Sequence, residues 1–155
     1  MYSNELVCNI LSYIDENIKC KISIDNLVNE FHYNRFYIMK LFKRELNISI
    51  INYINNVRAY NSINYINDNY SFLSCALLCG FYSLEYYSEI FKKVLGVNPS
   101  TYKKIFNRRN DVSDKEYDKF ICNYSLLKEV IDKVNKYKLN VKPKVLPVKE
   151  LSIFK

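Results

Sequence analysis

Residues 72–93, FLSCALLCGFYSLEYYSEIFKK, decide the fold. Phe72, Cys75, Ala76 and Cys79 recur at intervals of three and four, the spacing of one helical face, and Gly80 interrupts them. Ser83 is then placed to cap a second helix, whose apolar side is Tyr86, Tyr87, Ile90 and Phe91 and which runs into Lys92 and Lys93. The same pattern occurs earlier. Ile24, Leu27, Val28 and Phe31 mark a face, His32 and Tyr33 break it, and Asn34 opens a helix carrying Ile38, Leu41 and Phe42 before Lys43 and Arg44. First helices align at an offset of 48 residues and second helices at 49 (Phe42 onto Phe91, Lys43 onto Lys92), so the second turn is one residue longer. A chance match does not keep helix, break and helix in step.

The most specific stretch runs from Gly80-Phe81-Tyr82-Ser83 through Tyr86-Tyr87-Ser88-Glu89-Ile90-Phe91-Lys92-Lys93 and closes with Gly96-Val97-Asn98-Pro99-Ser100-Thr101-Tyr102. It resembles the second-unit signature of the AraC/XylS family of transcription regulators, whose DNA-binding domain joins two helix-turn-helix units by one long helix. The resemblance covers roughly residues 5–106. It implies two helix-turn-helix subdomains joined by a long linker helix, and with the apolar spacing of residues 114–138 the fold expected is all-α with a C-terminal helical extension. The domains expected are 1–106, AraC-type DNA-binding, and 107–155, an extension that is helical and then extended. Residues 4–17 should form a covering helix, residues 50–67 the linker, and residues 100–106 a short final helix. His32 falls where many relatives carry Gly, so a turn role is expected of it.

Composition narrows the function classes. A chain of 155 residues that is 49% hydrophobic can bury one or two small cores. No run approaches the ~18 uninterrupted apolar residues of a membrane span, and the N-terminus carries no basic-then-apolar signal pattern, so a cytoplasmic protein without a membrane partner is expected. Five cysteines, an odd count, fit reduced thiols rather than a disulfide framework. Cys75 and Cys79 stand one turn apart, yet they occupy positions where the repeat needs apolar side chains, and no second ligand pair lies nearby, so no metal is expected. With 2 glycines there is no phosphate-cradling loop, and no cofactor is expected. His32, the lone histidine, lacks partners for nucleophilic chemistry, so the chain is not read as an enzyme. Most of the 15 tyrosines, at helical spacing, read as packing residues.

Net charge is +7, unevenly placed. Residues 1–106 carry +2 and residues 107–155 carry +5. Residues 34–45 hold Arg35, Lys40, Lys43 and Arg44 against Glu45, net +3, whereas residues 84–95 balance Lys92 and Lys93 against Glu85 and Glu89. A reading helix meets base edges with outward side chains and phosphates with its N-terminus and basic residues. Helical spacing and resemblance together offer Asn34, Arg35, Phe36, Met39, Lys40, Lys43 and Arg44 from the first unit, and Leu84, Glu85, Ser88, Glu89, Lys92 and Lys93 from the second. Arg35 or Lys40 suits guanine; Phe36 or Met39 suits a thymine methyl. Glu89 and Asn61 stand where the family often has Arg, and a carboxylate there repels phosphate unless it accepts from cytosine N4.

The expected function is a sequence-specific regulator, an activator by resemblance, whose partners are double-stranded DNA and RNA polymerase. The alternative is an interaction module or antagonist that keeps the fold without specific DNA binding, motivated by Glu85, Glu89 and the tail. Residues 114–138 carry Tyr117, Phe120, Ile121, Tyr124, Leu127, Val130, Ile131, Val134 and Tyr137 at helical spacing, either one amphipathic helix or a pair, which should pack on the domain or mediate self-association. Pro143 and Pro147 bracket short apolar runs reaching Leu151, read as an extended docking end of a stand-alone regulator or as the approach to a further domain.

Overall fold

The computed structural model describes residues 3–141, and the extended end expected beyond Pro143 lies outside them. Eight α-helices follow one another in this region: α1 (Ser3–Asn17), α2 (Ile24–Phe31), α3 (Arg35–Leu46), α4 (Ile50–Asn67), α5 (Phe72–Leu78), α6 (Leu84–Leu95), α7 (Pro99–Phe106) and α8 (Asp114–Val141). The described residues form no strand. The short final helix begins one residue earlier than its spacing predicts, because Pro99 occupies its first position, where a missing N–H costs nothing. The tail is one 28-residue helix rather than a pair.

Polar caps set the boundaries. Ser23, Asn34, Ser49, Ser71, Ser83 and Asn98 each hold extended backbone, and each side-chain oxygen accepts an N–H from the first turn of the helix it precedes. The second helices of the two units follow the same plan to the residue. α3 and α6 each span 12 residues, and the caps Asn34 and Ser83, like the left-handed closers Asn47 and Gly96, stand 49 apart. The turns also match: His32 (φ 60°) and Gly80 (φ 96°) take positive φ 48 residues apart, and the path from Gly80 to its cap is one residue longer. The left-handed residue is the C-cap itself in α2, His32, and in α5 the residue after the right-handed cap Cys79, Gly80.

Two cores result. The first gathers Leu6, Ile10 and Leu27 with Ile38 and Phe42, and the second gathers Cys75, Phe81, Tyr87, Phe91 and Leu95. The linker α4 serves both, with Tyr53 and Ile54 in the first and Ile63 and Ile66 in the second. α8 does the same, placing Val134 in the first core and Phe120 and Leu127 in the second. Its apolar stripe is therefore spent largely within the chain.

Candidate nucleic-acid interface

On α3 the buried side is Ile38, Leu41, Phe42 and Leu46, which turns Phe36, Lys40 and Lys43, spaced by four and three, onto one exposed stripe. On α6 the buried side is Tyr87, Ile90, Phe91 and Leu95, and the opposite stripe is Glu85, Glu89 and Lys92. A step of 49 carries one stripe onto the other: Phe36 onto Glu85, Lys40 onto Glu89, Lys43 onto Lys92. The positions are structurally equivalent. Their chemistry is not, since the first stripe bears two cations and a phenyl ring 75% exposed, and the second bears two carboxylates and one cation.

The remaining candidates divide. Met39 is exposed on the flank of the first stripe. Ser88 joins Glu85, Glu89 and Lys92 around a shallow concavity bounded by Tyr82 and Asn98. Asn34 uses its side chain as the α3 cap, accepting from the N–H of Phe36 at 2.8 Å. Arg35 pairs with Asp25 of α2 at 2.9 Å, and Arg44 with Glu45 at 3.6 Å. Lys40, Lys43 and Lys92 form no ion pair among the described residues, and neither do Glu85 and Glu89, so the centres of both stripes are uncommitted charge. Leu84 packs partly against the second core. Lys93 turns away from the stripe, into a groove lined by Asn52, Asn56 and Leu126.

Two features escaped the sequence reading. Tyr33 stacks on Tyr37 (centroids 5.5 Å, planes at 25°), and 49 residues on Tyr82 stacks on Tyr86 (4.9 Å, 21°). Each pair bridges the residue before the cap and the third helical residue, so it fixes the angle at which the chain enters α3 or α6, much as a hydrophobic staple does. The signal was available as tyrosine at both equivalent positions of both units. Arg58, at the middle of the linker, gave no such signal. It is buried, its Nε donates to the Ile18 carbonyl at 2.9 Å and its other arm to the Cys20 carbonyl, and burial draws its pKa below the ordinary arginine value. It ties α4 to the loop after α1.

The second unit is latched to the linker through hydroxyls. Asn55 donates to the Tyr86 hydroxyl at 3.0 Å, Tyr87 donates to Ser62 at 2.9 Å, and Tyr102 donates to Asn67 at 2.7 Å. Cys75 and Cys79 are buried, burial pushes the Cys79 thiol up to about 12, and no cluster of three metal-ligating side chains occurs among the described residues.

A family model described as a helix-turn-helix domain matches residues 27–105, half of the chain and both units. The chain belongs to the AraC-type helix-turn-helix family. It carries the DNA-binding fold of those transcription regulators. Among relatives of this AraC-type domain, an uncharacterized response regulatory protein of Staphylococcus epidermidis is 30% identical over 103 residues, 66% of this chain and 41% of that protein. The transcriptional regulatory protein HptR of Staphylococcus aureus is 28% identical over 103 residues, again 66% and 41%. The chain thus spans about two-fifths of the length of these relatives. The solved DNA-binding domain of AdpA, in complex with a target DNA, superimposes with a TM-score of 0.61 at 17% identity, over 69% of this chain and 97% of that one. At that identity the likeness is one of fold. Among the described residues no helix is long and apolar enough to cross a membrane.

Proposed function

We propose that this AraC-type domain is a sequence-specific, double-stranded-DNA-binding transcription regulator that lays α3 and α6 into successive major-groove segments, about 34 Å or one helical turn apart. The carrying observation is the pair of exposed stripes in 49-residue register on two identically capped helices. In this reading α3 supplies most of the affinity. Lys40 and Lys43 are unpaired cations at the centre of its stripe, and Phe36 and Met39 offer apolar contact to thymine methyls. Arg35 contributes less than its type implies, because Asp25 already shares its guanidinium. Glu85 and Glu89 act by selection, accepting from cytosine N4 where it is present and repelling the duplex where it is not. The activator role, with RNA polymerase as its contact, rests on the family resemblance.

Fluorescence anisotropy against a selected duplex and random DNA tests this. Lys40→Ala should cost about 1–3 kcal/mol on the selected site and relax one base preference. Glu89→Arg should raise affinity for random DNA, steepen the salt dependence and erase one preference. Equal, weak binding of selected and random duplexes, unmoved by either change, would replace this reading with an interaction module, which the uncommitted carboxylates Glu85 and Glu89 favour.

A further inference from the structure

We propose that α8 is a strut that fixes the two reading helices relative to each other, and thereby sets the half-site spacing the domain accepts; the second clause rests on the DNA-binding reading above. The helix lies across both bodies. Its buried and half-buried apolar residues, Phe120, Tyr124, Leu127, Ile131 and Val134, follow steps of four and three, a stripe that keeps to one line along a helix. That stripe places the first four against the second core and Val134 in the first.

The decisive contacts are at the C-terminal ends of the reading helices. At the C-terminal end of α6, the closing residue Gly96 lies so near α8 that a Cβ there would stand 2.6 Å from the Asn123 side-chain amide nitrogen and 3.1 Å from the Lys119 carbonyl oxygen. Behind α3, the Tyr137 hydroxyl donates to Glu45 at 3.1 Å. From Asn123 to Tyr137 is ~21 Å of helix, at 1.5 Å per residue. Between these ends α8 also grips the linker: Tyr124 stacks on Tyr60, and the Lys128 ammonium stands 5.7 Å over the same Tyr60 ring. Beyond them, Lys138 pairs with Asp15 of α1 at 2.6 Å.

The linker α4 by itself couples the two bodies through one helix packed into both cores, so any bend or twist of that helix moves one body against the other. A second connection, running from the C-terminal end of α3 to that of α6, stiffens the joint between them. The Arg58 clasp on the Ile18 and Cys20 carbonyls holds the opposite edge of the same joint.

The test uses the full chain. Residual dipolar couplings measured without DNA report whether both units share one alignment tensor. Titrations against duplexes with one base pair inserted or removed between half-sites report the spacing penalty; each such step moves the second half-site by ~3.4 Å and turns it by ~35°. The wild type should fit one tensor and lose about tenfold in affinity per step, near 1.4 kcal/mol. The double variant Val134→Ala/Tyr137→Ala, which frees the far end of α8, should require two tensors and lose only about threefold per step. The exposed-pair variant Lys138→Glu leaves the cores intact; it should weaken the spacing preference in the same direction, and Asp15→Lys should restore it. One shared tensor with an unchanged spacing penalty in the double variant would overturn the strut. If the tensors separate as expected but no duplex is bound selectively, the strut stands and the DNA-binding reading falls.

Discussion

Replacing Gly80 with alanine should destabilise the domain by about 2–4 kcal/mol, while replacing His32 with glycine at the equivalent turn should be neutral or stabilising by up to about 1 kcal/mol. Both residues hold positive φ, so conformation alone penalises a side chain at either place. The difference lies in what surrounds them. A Cβ at Gly80 would stand 2.5 Å from the Ile18 carbonyl oxygen and 2.9 Å from Arg58 Nε, against the ~3.3 Å at which carbon and oxygen ordinarily meet. Relief requires moving backbone by most of an ångström, and the Ile18 carbonyl is the one Arg58 grips. His32 is exposed, and its left-handed strain of ~1–2 kcal/mol is offset only by the extra entropy that a glycine would lose on folding, ~0.5–1 kcal/mol. Urea unfolding followed by circular dichroism, with both variants at constant m, gives the two differences directly. A Gly80→Ala variant within ~0.5 kcal/mol of wild type would refute the close approach of the second turn to the first body.

Three further outcomes follow from the same contacts. A thiol reagent at neutral pH should modify exposed Cys20 and Cys122 quickly and buried Cys75 and Cys79 only on unfolding, as peptide mapping would show. Because burial lifts the Cys79 thiol from an ordinary 9.0 to about 12, the native state holds a proton that the unfolded chain releases; stability should be intact below pH ~9 and fall as pH rises from there through about 12, read as an alkaline loss in urea midpoint. Deleting residues 107–155 should leave α1–α7 folded but lower the melting temperature, since Phe120, Leu127 and Val134 leave both cores; calorimetry showing no change would mean that α8 does not pack where the structure puts it.

Fold was legible where periodicity and caps coincide. Apolar spacing with Asn34 and Ser83 located both reading helices, because a helix start needs a local acceptor and an apolar face needs a fixed period. The offset of 49 between them held to the residue. What periodicity could not supply was pairing. Nothing in the chain tells that Arg35 meets Asp25, that Lys93 turns into a groove beside α8, or that Leu84 is half-buried, since one residue's offset around a helix moves its side chain by 100° and its partner belongs to another element. Arg58 was invisible for a different reason: its partners are carbonyls, which every residue carries. The tyrosine stacks were visible in principle, but only to a comparison of the units position by position rather than face by face.

That comparison also isolates what folding leaves free. Caps, closers, tyrosine stacks and buried faces repeat between the units, so Lys40 and Glu89, both outside every core, differ for reasons packing does not set. A cationic stripe attracts any duplex and tolerates small errors of placement, because its main partners are phosphates on every nucleotide. On the proposed reading an anionic stripe would tolerate none: displaced from a cytosine amino group toward the backbone, Glu89 would turn from acceptor to repulsive charge. A second head that is weak and selective, as proposed, would contribute only when the first delivers it at high effective concentration and in a fixed orientation. The double attachment of this domain, through α4 with its Arg58 clasp on one side and α8 on the other, provides that condition. If the proposed reading faces and strut both hold, the asymmetry of the stripes and the stiffness of the joint serve one end: loosening α8 should harm discrimination by α6 more than attraction by α3.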